Sequence, residues 1–165
     1  MFISNNLLNK LIEVYTSEEI DKFDVGYIKN FDKQWLLLHI YDPYIIDDGI
    51  MLVDIDTIWK INYETKYLQP FLNLSIENKE IDITEDLLNN IINSVINKKI
   101  VYIVLNNGDT LLGKIIENSD NLIIKNYTDS GQFDGFSTID KETISVIQYD
   151  CRACKNVENI LNKKL

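Results

Sequence analysis

One histidine, two cysteines, two prolines and six glycines are all that this 165-residue sequence holds of those four residue types. So little proline and glycine leaves no room for a long flexible linker. Two cysteines cannot frame a disulfide-stapled fold. A single histidine, His39, cannot build a metal centre alone, because such centres need several converging ligands. No apolar run approaches the roughly 20 residues of a membrane span. The opening Met1-Phe2-Ile3-Ser4-Asn5-Asn6 lacks a basic region followed by an apolar run, so no secretory leader is expected and a cytoplasmic protein is. Positive charge is also short. Lys and Arg total 16 against 26 Asp and Glu, a net charge of −10, and acidic residues outnumber basic ones in both halves. Proteins that track phosphates gain affinity by releasing counterions with Lys and Arg. This chain repels a polyanion at long range.

The sequence does carry a 45% hydrophobic complement, enough for a packed core, and an internal repeat. Val25-Gly26-Tyr27-Ile28 matches Leu112-Gly113-Lys114-Ile115 at an offset of 87, which also lays Trp35-Leu36-Leu37-Leu38 over Leu122-Ile123-Ile124-Lys125. With one residue lost from the second copy's following loop, Asp48-Gly49 falls on Asp134-Gly135, Thr57-Ile58 on Thr143-Ile144, Ile61 on Ile147, and Tyr63-Glu64 on Tyr149-Asp150. Before Val25 the match fades to Val14-Tyr15 over Val101-Tyr102. Two repeats are expected, 1–76 and 77–165.

The second repeat reads as a helix and five short strands. Asp82 and Glu85 have capping-box spacing, and Leu87, Leu88, Ile91, Ile92, Val95 and Ile96 recur on one helical face. Residues 100–105 are apolar and β-branched, as strands prefer. Asn106-Asn107-Gly108-Asp109 is a hairpin turn, and further strands are expected over 110–117, 122–127, 135–139 and 143–149, then a C-terminal helix over 155–165. In the first repeat, Leu7, Leu8, Leu11 and Ile12 suggest a short helix, although 12–16 also reads as strand. Strands are expected over 25–31, 35–41, 49–53 and 57–63, with 68–75 as the apolar close and 76–81 as the joint. The fold class is therefore mostly β with short helices.

A short helix before five bent antiparallel strands resembles the Sm-like family, whose fold is a small SH3-like barrel. The residues that carry this are Val101 to Asp109 followed by Leu112-Gly113-Lys114-Ile115, with Ser119-Asp120-Asn121-Leu122 similar to the polar turn that the family uses near RNA bases. The resemblance implies two barrels in tandem and, by the family's activity, RNA binding. Where the family has an Arg-Gly signature, this sequence has Asp134-Gly135-Phe136-Ser137 and Asp48-Gly49-Ile50-Met51. Open barrel edges invite strand pairing, so a homo-oligomer through those edges is a further expectation.

Few side chains offer chemistry. His39 has no cysteine or serine beside it to form a dyad. Cys151-Arg152-Ala153-Cys154 has the spacing of a redox or half-zinc motif, but the chain has no second pair, so ordinary thiols are expected. Asp47-Asp48 and Asp54-x-Asp56 are read as turn chemistry. Lys98-Lys99 and Lys163-Lys164 complement helix ends. The loops around Tyr41, Tyr44, Tyr127 and Phe133 set aromatic rings among polar residues, and loops on a rigid scaffold are where binding groups sit. No cofactor, metal or catalytic residue is assigned. The expected function is non-enzymatic binding of a protein partner, with Sm-like nucleic-acid binding, or an immunity or inhibitor protein holding a basic partner, as alternatives.

Overall fold

The computed structural model describes residues 3–17, 19, 21–74 and 85–165. Ten strands form one antiparallel sheet: β1 Leu11–Tyr15, β2 Asp24–Phe31, β3 Trp35–Tyr41, β4 Asp47–Asp54, β5 Lys60–Tyr63, β6 Val101–Leu105, β7 Thr110–Asn118, β8 Asn121–Tyr127, β9 Phe133–Asp140 and β10 Ile144–Tyr149. Among the described residues two α-helices accompany it, α1 Leu87–Val95 and α2 Arg152–Lys163. The chain is thus mostly β, and no helix among the described residues is long and apolar enough to cross a membrane.

The strand order is β5-β1-β2-β3-β4-β10-β6-β7-β8-β9. The second five strands take the same order as the first, and their registers correspond. Gly26 faces Ile40 where Gly113 faces Asn126, and Ile61 faces Val14 where Ile147 faces Ile103. Bulges fall in equivalent places, between Ile28 and Asn30 and between Ile115 and Glu117. Gly26 and Gly113 share one reason for being glycine. A Cβ would stand 2.5 Å from the His39 carbonyl oxygen in one case and 2.3 Å from that of Lys125 in the other, so only glycine lets the neighbouring strand close in.

The registers shift two of the sequence alignments. Trp35 and Asn121 face Asp54 and Asp140 in the same way, so Leu36-Leu37-Leu38 corresponds to Leu122-Ile123-Ile124. The one-residue difference between the halves therefore lies in the turn between β7 and β8, two residues against three in the turn between β2 and β3. Val14-Tyr15 corresponds to Ile103-Val104 rather than Val101-Tyr102.

The helical reading of the N-terminus holds only for a 3-10 turn at Asn5–Leu7. Asn9, with φ 61°, then redirects the chain, and Leu11 and Ile12 enter β1, where burial between β2 and β5 outweighs local spacing. Helix α1 begins later than the capping-box spacing suggests. Asp82 lies outside the described residues, and Asp86 is the N-cap, accepting from the Asn89 N–H at 3.2 Å. Asp32, in the turn after β2, also accepts from the Leu87 N–H at 2.9 Å. Trp35, Leu37 and Leu52 from the first half share a core with Leu87, Ile91, Ile92 and Val95 of α1 and with Ile103, Ile115 and Ile147. A second core, around Ile12, Ile28, Leu36, Leu38, Met51 and Val53, reaches across to Val146.

Candidate functional site

Strand β4 pairs directly with β10, with Val53 facing Val146, Leu52 facing Ile147, Met51 facing Gln148 and Ile50 facing Tyr149. This joint carries most of the candidate chemistry. Beside it lies a cavity of about 360 Å³ lined by Asp48, Tyr102, Gln148, Cys151 and the first turn of α2. A smaller one of about 120 Å³ runs from Asp48 and Gln148 to Asp24, Tyr41 and Tyr67.

Asp48 accepts from the Arg152 N–H at 2.9 Å, so its carboxylate anchors the start of α2. Asp24 lines the smaller cavity together with Asp48. Burial, with the Asp48 charge added, pushes its carboxyl up to about 6. No motif marked Asp24 in the sequence; what raises it is the enclosure made by strands that are distant in the chain.

Cys151 is the N-cap of α2, its sulfur 3.4 Å from the Cys154 N–H and 2.7 Å from the Cys154 sulfur. Cys154 also points its thiol at the Gln148 carbonyl. The Cys154 hydrogen bond lowers the Cys151 thiol, and the same bond together with burial raises that of Cys154. Both side chains are buried, packed with Ile100 and Val157.

His39 has a partner that the sequence did not suggest: its Nε2 lies 2.9 Å from Asp47 Oδ2, and its ring stacks on Tyr41 at 5.0 Å. The Asp47 carboxyl, which burial raises, is brought below its ordinary value by the Gly49 N–H and by His39. Asp54 and Asp140 each cap a 3-10 turn, accepting at 3.0 Å from the N–H groups of Asp56 and Glu142. No group of three or more His, Cys, Asp or Glu side chains among the described residues is arranged to hold a metal. Lys99 forms an ion pair with Asp150 at 2.5 Å, a more specific role than complementing a helix end.

The four expected contact residues fall at two hairpins. Tyr41 is half-buried, edge-on to Tyr27 and stacked on His39. Tyr44 is 82% exposed. The loop that carries it is clamped by Asp42, whose Oδ1 accepts from the N–H groups of Tyr44 and Ile46 at 2.9 Å each, with Ile45 held at φ 65°. Tyr127 is half-buried against the Cys151 cluster. It faces the exposed Phe133 across β8 and β9, and the Lys125 ammonium lies 5.8 Å from the first ring and 5.5 Å from the second. Phe133 meets Phe136 edge-on at 5.3 Å. Lys114 faces Lys125 across β7 and β8, while Asn121 lies at the other end of β8.

No protein-family model matches the chain, and no curated protein or solved structure shows significant similarity to it.

Proposed function

We propose that the chain is a tandem pair of Sm-like repeats, 1–76 and 77–165, that acts as a non-enzymatic cytoplasmic binding protein with a protein partner. The common strand order, equivalent bulges and paired glycines support the repeat reading. The observation that carries the protein-partner reading is the Asp42-clamped loop. It presents Tyr44 and Ile46, 82% and 61% exposed, on a turn ordered by two hydrogen bonds. A pre-ordered aromatic anchor loses little entropy on binding, and tyrosine is enriched among residues that dominate interface energy. Asp42 opens this loop and Asp47 and Asp48 follow it in the sequence, which favours a basic rim on the partner.

A second reading rests on a separate observation. Lys125 and Lys114, with Tyr127, Phe133 and Phe136, put two cations and three rings on one stretch of β7 to β9. Cations beside aromatic rings suit single-stranded nucleic acid, whose bases stack on rings.

Capture on the immobilised full chain at low salt, with and without nuclease, tests both. A stoichiometric protein band is expected to survive nuclease and to weaken about tenfold in the Tyr44→Ser, Ile46→Ser double variant. Nuclease-sensitive RNA or DNA that is lost steeply as salt rises overturns the first reading in favour of the second.

A further inference from the structure

The smaller cavity, of about 120 Å³, is lined by three carboxylates, those of Asp24, Asp42 and Asp48, and by no lysine or arginine. Three aromatic side chains, Phe23, Tyr41 and Tyr67, stand in the same wall. We propose that this cavity binds one organic cation, the ammonium or guanidinium head of a lysine or arginine side chain or of a free amine.

Three observations support a cation there. The first is an acid without a partner. Asp42 accepts from the N–H groups of Tyr44 and Ile46, and Asp48 from that of Arg152. Asp24 has no such use. Among the described residues neither a hydrogen bond nor a cation offsets its burial beside Asp48. Two carboxylates enclosed together without a counter-ion favour the entry of one. The second is what the other half holds at this position. Asp24 faces Val14 where Leu111 faces Ile103, and Leu111 packs against the apolar core. The sheet therefore does not require an acid here, and the carboxyl of Asp24 has a reason other than folding. The third is the wall. Phe23 and Tyr67 meet edge-on at 5.0 Å, and aromatic rings attract ammonium and guanidinium groups. A metal ion is less well served, since no three metal-ligating side chains among the described residues converge.

The volume sets the size of the guest. It falls below the roughly 300–1,000 Å³ of pockets that take drug-sized ligands, so a cationic head with a few carbons fits and a nucleotide does not. Because Asp42 both lines the cavity and clamps the Tyr44 loop, the cavity adjoins the surface proposed for a protein partner. The site goes beyond that reading and does not need it, since a free amine has the same chemistry and the test uses no partner.

Butylammonium and methylguanidinium are the probes, titrated into the full chain while NMR follows the Asp24 carboxyl. Asp42, Asp48, Tyr41 and Tyr67 are the other titratable groups that face the cavity. Either probe should lower the Asp24 midpoint, because a bound cation favours the carboxylate. With that midpoint at about 6 in the free chain, affinity should rise about tenfold between about pH 5 and about pH 7. Asp24→Asn should weaken binding about tenfold at about pH 7, and Tyr67→Leu, at a half-exposed ring, several-fold. Asp120→Asn, which does not line the cavity, should bind like the wild type, and circular dichroism checks that each variant is folded. Nα-acetyl-lysinamide and Nα-acetyl-argininamide separate the sources. Binding at least as tight as that of the probes supports a partner's side chain, and binding by the probes alone supports a free amine. An Asp24 midpoint that neither probe moves, an affinity equal at both pH values or unchanged in Asp24→Asn, or a shift produced by magnesium but by neither organic cation overturns the proposal.

Discussion

Replacing Asp24 with asparagine tests the electrostatics of the joint. Burial and the neighbouring Asp48 raise the Asp24 carboxyl from 3.8 to about 6, so the folded chain holds this proton more tightly than the unfolded chain does. The contribution of Asp24 is then fully present below the unfolded value, near 3.8, and is lost as pH rises through about 6. At 1.36 kcal/mol per unit, the penalty at neutral pH has an upper limit of roughly 3 kcal/mol. Asp24 keeps some contact with water, so about 1–3 kcal/mol is the working range. Asp24→Asn removes the charge and keeps the shape. Urea unfolding at about pH 8 should show it more stable than wild type by that amount, and thermal unfolding a rise in Tm of about 2–12 °C for a chain of this size. At about pH 4, where the native carboxyl is already protonated, the two proteins should unfold alike. Equal stabilisation at both pH values would show that the charge is not responsible, and loss of stability at about pH 8 would refute the reasoning outright.

Other consequences follow from single contacts. Asp32→Ala removes the acceptor for the Leu87 N–H and for its own turn at Trp35, and should cost about 1–2 kcal/mol in denaturant unfolding. Gly113→Ala sets a Cβ 2.3 Å from the Lys125 oxygen and should destabilise by about 1–3 kcal/mol, read as a lower urea midpoint. Burial raises the Glu13 carboxyl, but hydrogen bonds from Thr65, Tyr15 and Asn62 and the Lys60 charge bring it below 4.5. Its stabilisation is present above 4.5 and lost as pH falls through the lowered native value, so Glu13→Gln should flatten the acid limb of the stability curve. Cys151 and Cys154, 3% and 0% exposed, should resist a thiol reagent in the folded chain and both titrate in guanidinium; fast labelling of either in the native protein would contradict their burial.

Much of the sheet was legible because strand patterning is local. The hairpin turn at Asn107-Gly108 and the β-branched run before it need only neighbours to be interpreted, and α1 shows its apolar stripe without tertiary help. The N-terminal segment was not legible in the same way. Leu7, Leu8, Leu11 and Ile12 have helical spacing, yet Ile12 is wholly buried within a strand, because two distant strands compete for it. The joint left a trace that sequence reasoning did not use. Ile50-Met51-Leu52-Val53 is uniformly apolar, as suits a strand covered on both sides and flanked by neighbours, whereas the corresponding Phe136-Ser137-Thr138-Ile139 alternates with polar residues. The loops around Tyr41 and Tyr127 were legible as aromatic and polar mixtures. The pairing of His39 with Asp47 and the enclosure of Asp24 were not, since both depend on which strands meet.

The pairing of Val53 with Val146 also bears on how the chain is made. Synthesis runs from the N-terminus, so Ile50 to Val53 leave the ribosome long before Tyr149 exists. Until the last strand is complete, the nascent first half displays an unpaired, wholly apolar strand edge, the kind of surface that seeks strands of other chains. The hazard ends only with the final residues of the sheet, so a ribosome that stalls between β9 and β10 releases an adhesive product, while one that finishes releases a chain whose stickiest edge is already occupied by itself.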